Sequence, residues 1–138
     1  MKGGTRRRVG PDGQLPPEEG VELTQMGYEF WPEAIEAALR YASQVSGAPM
    51  IVTENGIGTT DDTRRLEYYR RALTGVVNCL NDGLDVRGYL AWSALDNFEW
   101  MYGYGPQFGI IAVNRETQER TVKPSARWLG EVARANGF

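Results

Sequence analysis

The sequence predicts an α/β fold of parallel strand–helix units, and three observations carry that expectation. Two short apolar runs, 50–53 and 86–92, have the length and β-branched or aromatic content of strands. Each follows a longer stretch whose apolar residues recur at helical spacing. Strands that alternate with helices pair in parallel, because a parallel partner requires a crossover connection. Two parallel strands leave two open edges, so this chain cannot enclose a core by itself and something else must cover them.

Residues 1–23 hold Gly, Pro and charge without periodicity, and read as a flexible N-terminal segment before a partial domain over 24–138. Pro32 opens a helix with Ile35, Leu39 and Ala42 on one face and Gly47 as its stop. The run 50–53 after Pro49 reads as a buried strand that Glu54-Asn55-Gly56 ends. A second helix covers 62–80, with Leu66, Tyr69, Leu73, Val76 and Leu80 as its apolar stripe. Asp61 or Asp62 caps its start and Gly83 closes it. The strand 86–92 leads into Ser93-Ala94-Leu95-Asp96-Asn97-Phe98-Glu99-Trp100. A short strand over 108–113 and a polar turn region over 114–123 follow. Pro124 then starts a last helix, with Trp128 and Val132 one turn apart and Gly137 at its end.

The bulk chemistry excludes several classes. With 138 residues, 41% hydrophobic and 24% charged, the composition is that of a globular domain or a piece of one. A net charge of −3 does not suit a polyanionic partner, so no nucleic acid is expected. The basic cluster Lys2, Arg6, Arg7 and Arg8 lacks interleaved aromatics and reads as tail. No apolar run nears the roughly 18 residues of a membrane helix. The N-terminus also lacks a signal core, so a cytoplasmic location is expected. Cys79, the only cysteine, lies among Val76, Val77 and Leu80 and reads as a buried structural thiol. There is no histidine, which removes His-ligated metals and Ser-His or Cys-His catalysis. No metal or cofactor is expected, and acid–base chemistry near neutral pH falls to carboxylates or tyrosines.

Glu54 sits at the carboxyl end of a predicted parallel strand, the end that faces the active site in a barrel. On position alone a helix cap, a loop ion pair or a solvated carboxylate is the better reading. Trp92 ends the second strand, and core packing explains it equally well. Beyond it, Asp96, Glu99, Trp100, Tyr102 and Tyr104 crowd acids and aromatics into one loop. That mixture suits carbohydrate, whose C–H face packs on indole and whose hydroxyls donate to carboxylate. A rigid structural loop is the competing account.

Thr53-Glu54-Asn55-Gly56 resembles the nucleophile motif of glycoside hydrolase family 1. Trp92-Ser93-Ala94-Leu95-Asp96-Asn97-Phe98-Glu99-Trp100 is similar to that family's sugar-binding signature. Thr24-Gln25-Met26-Gly27-Tyr28, Asp85-Val86-Arg87-Gly88-Tyr89 and Phe108-Gly109 extend the match from about residue 24 to the end. The resemblance implies the C-terminal portion of a (β/α)8 TIM barrel, strands 7 and 8 with flanking helices. It implies a retaining β-glucosidase with Glu54 as nucleophile and Trp92 as the platform under the non-reducing-end sugar. Glu99 would then accept from the 4- and 6-hydroxyls, Trp100 would donate through its indole N–H, and Phe108 would border the 6-hydroxymethyl group. An ionised Glu99 would repel a phosphate dianion, so the resemblance points to neutral sugars rather than 6-phosphorylated ones. For Asp96, Asn97, Tyr102 and Tyr104 a structural role is expected.

Three departures stand out. Tyr28 occupies a position where the family usually has Trp, on the leaving-group side of the cleft, and Gln25 replaces Asp. Ala72 replaces a common histidine, which reads as a packing change. The family's acid/base motif, Asn-Glu-Pro, does not occur in the chain. Retaining hydrolysis needs two carboxyl groups about 5–5.5 Å apart, so the chain is expected to hydrolyse β-glucosides feebly or not at all by itself. The partners expected are a β-glucoside or oligosaccharide substrate, and another chain or copy over the open strand edges; the alternative reading is a non-catalytic carbohydrate-binding or self-associating remnant of the barrel.

Overall fold

A computed structural model describes residues 20–138. The tail expected over 1–23, with its basic cluster, therefore lies outside the described residues except for its last four. Of those, Glu22 ion-pairs with Arg64 and Leu23 forms a bridge with Glu29.

Helix α1 spans Ala34–Ser46 and begins two residues after Pro32, which is fully buried. It stops at Gly47, whose left-handed φ of 60° lets its N–H reach Ser43 O at 2.9 Å. Strand β1 is Met50–Asn55, helix α2 is Asp62–Asn81 and strand β2 is Val86–Ala91. Asp61, not Asp62, caps α2, its Oδ1 accepting the Thr63 N–H at 2.9 Å. Strands β3, Ile111–Val113, and β4, Arg120–Val122, form an antiparallel hairpin, and helix α3 is Pro124–Ala135.

β1 and β2 pair in parallel with α2 as their crossover, as the alternating pattern predicts. Met50, Val52 and Tyr89 turn to one side of this sheet, where Leu39, Leu73, Val76, Trp128 and Leu129 from the three helices cover them. Among the described residues nothing covers the other side. Ile51 is 58% exposed and Leu90 53% exposed, with Ile51 leaning over Gly88 between them. The expectation of a fully buried β1 is thus corrected, because all three helices lie against one face only. Beside β1, a cavity of about 450 Å³ is bordered by α1. Beside β2, an apolar cavity of about 580 Å³ lies between α2 and α3.

Other boundaries also move. Glu54 lies within β1 rather than past it, since pairing continues to Asn55 opposite Ala91. Trp92 falls just outside β2. The strand expected over 108–113 is confined to β3, and the polar region 114–123 contains β4, whose exposed residues carry no apolar pattern to reveal them. On α2 the centre of the expected stripe is buried, but Leu80 is exposed. Cys79 is buried and free, as expected, and burial pushes its thiol pKa up. Among the described residues no helix is long and apolar enough to cross a membrane.

Candidate active site

The site begins with an irregularity in β1. Three β1 residues, 53–55, advance against two on β2, since Val52 pairs with Tyr89 and Asn55 with Ala91. The extra residue makes a bulge and re-aims the side chains after it. Asn55 therefore turns to the helix side, where Tyr89 Oη donates to its Oδ1 at 2.6 Å and its Nδ2 donates to Tyr68 Oη at 3.2 Å. Burial raises the pKa of both phenols, which keeps Tyr89 a donor and so fixes the amide's orientation. Glu54, beside this anchored residue, is left exposed at the strand's end.

The end of β2 is held against the same point. Trp92 N donates to Asn55 O at 2.8 Å, and Tyr69 Oη donates to Trp92 O at 3.4 Å. A Cβ on Gly56 would stand 1.9 Å from Trp92 O, so only glycine permits this approach. The structure thus brings Glu54 and Trp92 to neighbouring strand tips. The Trp92–Ser93 peptide bond is cis, and Trp92 is 38% exposed.

The loop after Trp92 is stitched to the segment leading into β3. Ser93 N donates to Phe108 O at 3.1 Å, Ile110 N to Ser93 O at 2.9 Å and Asp96 N to Ile111 O at 3.0 Å. Gly109 permits this, because a Cβ there would meet Asp96 N at 2.1 Å. The Asp96 carboxylate accepts from Gly109 N at 2.9 Å and from Lys123 Nζ at 2.9 and 3.1 Å, which makes it a structural clamp. Glu99 is half-buried, and its Oε1 accepts from Asn97 Nδ2. Trp100 opens a single 3-10 turn, Trp100–Tyr102, and is 84% exposed. Tyr104 packs edge-on against Phe98 and lies under Arg115.

The remaining two candidates sit apart in character. The Phe108 ring is buried against Gly58, whose added Cβ would stand 3.2 Å from it. Tyr28 lies on the tight turn closed by Thr24 N and Tyr28 O at 2.8 Å, and its ring is exposed. That turn is tied to the site loops, since Gln25 N donates to Gly58 O at 3.1 Å and Gln25 Oε1 accepts from Gln107 N at 3.0 Å. Gln25 therefore serves here as a loop tie. Sequence reasoning missed Arg65, which is fully buried and donates to Thr59 O and Gln107 O at 2.6 Å each. Only the long-range carbonyls reveal its role. Among the described residues no group of His, Cys, Asp or Glu forms a metal site.

Acidic and aromatic side chains at the carboxyl ends of parallel strands, with helices on one face, define a segment of a parallel (β/α) enzyme fold. The comparisons make this specific. The sequence profile of glycosyl hydrolase family 1 matches residues 7–138, and the chain belongs to that family. Beta-glucosidase A of Acetivibrio thermocellus is 38% identical over 130 residues, covering 87% of this chain and 29% of that protein. The apo structure of a beta-glucosidase superposes with a TM-score of 0.86 at 54% identity, over 92% of this chain and 32% of that one. The beta-glucosidase from Thermotoga maritima in complex with glucoimidazole gives 0.84 at 33% identity, over 96% and 32%. These structural relatives are TIM barrels, of which this chain spans less than a third.

Proposed function

We propose that this chain is the nucleophile- and glycone-bearing part of a retaining β-glucosidase acting on terminal non-reducing β-D-glucosyl residues. β1 and β2 are then strands 7 and 8 of the barrel. The observation that carries the reading is the 2.8 Å bond from Trp92 N to Asn55 O, which sets Glu54 and Trp92 at adjoining strand tips.

In this reading a Glu54 oxygen attacks the anomeric carbon as the glycosidic C–O bond breaks, leaving a covalent glycosyl-enzyme that water later hydrolyses. Trp92 stacks under the glycone. Glu99 accepts hydrogen bonds from the 4- and 6-hydroxyls, and the exposed Trp100 indole donates to a neighbouring hydroxyl. Phe108 backs the 6-hydroxymethyl side from its buried position, and Tyr28 borders the leaving group. The departing oxygen needs a proton from a second carboxylic acid. No Asn-Glu-Pro motif supplies one in this sequence, and Glu99 is committed to the far end of the sugar.

The missing strands are the partner we propose for the bare sheet face and both open edges. They can belong to the rest of a longer polypeptide, another chain or another copy. The test is hydrolysis of an aryl β-glucoside by the chain alone and with the complementary barrel piece. We expect little or no turnover alone, and turnover on mixing that E54A abolishes. Turnover that survives E54A would remove Glu54 from the role of nucleophile. Robust Glu54-dependent turnover by the chain alone would remove the need for the missing acid.

A further inference from the structure

We propose that Asn97 is a positioning residue that holds the Glu99 carboxylate for sugar binding, an inference that rests on the glycone role given to Glu99 above. Among the described residues, Asn97 Nδ2 is the side-chain donor that reaches the Glu99 carboxylate, at Oε1. No cation pairs with Glu99 there. Lys123 is engaged by Asp96 and Gly109 O, and Arg115 by Asp96 O and the Tyr104 ring. The acid therefore keeps Oε2 and its remaining lone pairs for a ligand.

The amide's orientation follows from the carboxylate it faces, and the serine at its other end accommodates it. Ser93 Oγ stands 2.9 Å from Asn97 Oδ1 and 2.6 Å from Leu95 O, so its single proton is shared between two acceptors. An ionised carboxylate only accepts, so the amide must turn Nδ2 toward Glu99 and Oδ1 toward the serine. Ser93 is itself buried and held by backbone bonds to Phe108 and Ile110. The relay Ser93–Asn97–Glu99 thus ties the sugar-binding acid to the end of β2, whose other contact is the Glu54 strand. Rigid support of this kind is what keeps a binding group within reach of its target geometry.

Two substitutions separate positioning from simple packing. N97A removes the donor, and glucoside binding should weaken by roughly ten- to hundredfold, the range for a lost hydrogen bond to a charged group. N97D keeps the shape but faces one carboxyl with another, and such a pair retains one proton to a higher pH than a lone acid does. While that proton is present it replaces the amide N–H. N97D should therefore bind 4-nitrophenyl β-D-glucoside nearly as well as the parent at low pH and lose binding as pH rises through the pair's upper titration step. Tryptophan fluorescence follows binding, and a carboxyl-resolved NMR titration without sugar follows the step. Restored binding at low pH also shows that the variant is folded.

The same pH profile in N97D as in the parent, or N97D binding as poorly as N97A at every pH, overturns the proposal. If the parent binds no glucoside either alone or with the complementary barrel piece, the glycone reading fails and the sugar-free titration alone decides. An extra upper step in N97D then supports the Asn97–Glu99 relay, and its absence refutes it.

Discussion

Arg65 has no exposed surface, and the groups around it explain how a charge is tolerated there. Its guanidinium ion-pairs with Asp62 and donates to two loop carbonyls, one after β1 and one before β3. Asp62 in turn accepts the Ser125 N–H and Oγ–H at 2.8 Å each, at the first turn of α3. Burial pushes the Asp62 pKa up, but the two Ser125 bonds and Arg65 outweigh it and hold the carboxyl below its ordinary 3.8. The sign follows from linkage. A carboxyl with a depressed native pKa stabilises the fold above its unfolded value and loses that contribution as pH falls through the native one. D62N should therefore be less stable than the parent at pH 6–7, and the gap should narrow once pH drops below 3.8. Urea unfolding at several pH values reads this directly, and a gap independent of pH would contradict it.

Two helical glycines with opposite surroundings show how close packing of elements outweighs propensity. Replacing a mid-helix glycine by alanine gains about 1 kcal/mol in an unobstructed helix. On α3, the nearest atom to a Cβ at Gly130 is an Arg134 nitrogen at 3.7 Å, which is ordinary contact. On α2, a Cβ at Gly75 would stand 2.8 Å from Glu36 Cβ on α1. Glu36 is held in place by Arg40 and Asn78, so it cannot simply swing aside. Overpacking costs about 1–3 kcal/mol. G130A should then stabilise the chain by up to about 1 kcal/mol, while G75A should destabilise it by about 0–2 kcal/mol net. Paired thermal melts test the opposite signs, and equal shifts in one direction would sink the packing argument.

For the whole molecule, the decisive feature is one-sided coverage. The helices cover Met50, Val52 and Tyr89, while Ile51, Gly88 and Leu90 present an apolar strip whose strand edges are both unpaired among the described residues. Such a surface favours association. The chain is expected to show concentration-dependent association in sedimentation, and I51K/L90K should reduce it without loss of helix signal. Neither side chain belongs to the buried clusters beneath the helices, so the substitutions leave that core in place. A parent chain that stays monomeric at high concentration would contradict this.

Much of the molecule is legible in the sequence. Helical spacing located α1, α2 and α3, short β-branched runs located β1 and β2, and their alternation implied parallel pairing. Those features depend on residues close in sequence, which is why a linear reading captures them. The motifs around Glu54 and Trp92 likewise led to the family that the comparisons bear out. Tertiary structure alone decided which way side chains face. The bulge after Val52 sends Asn55 inward, Gly56 and Gly109 admit backbones no other residue would, and Lys123 reaches back to clamp Asp96. It also decided that a charged Arg65 is interior while an apolar Ile51 is not. Burial is set by what packs from distant segments, and no local pattern encodes that.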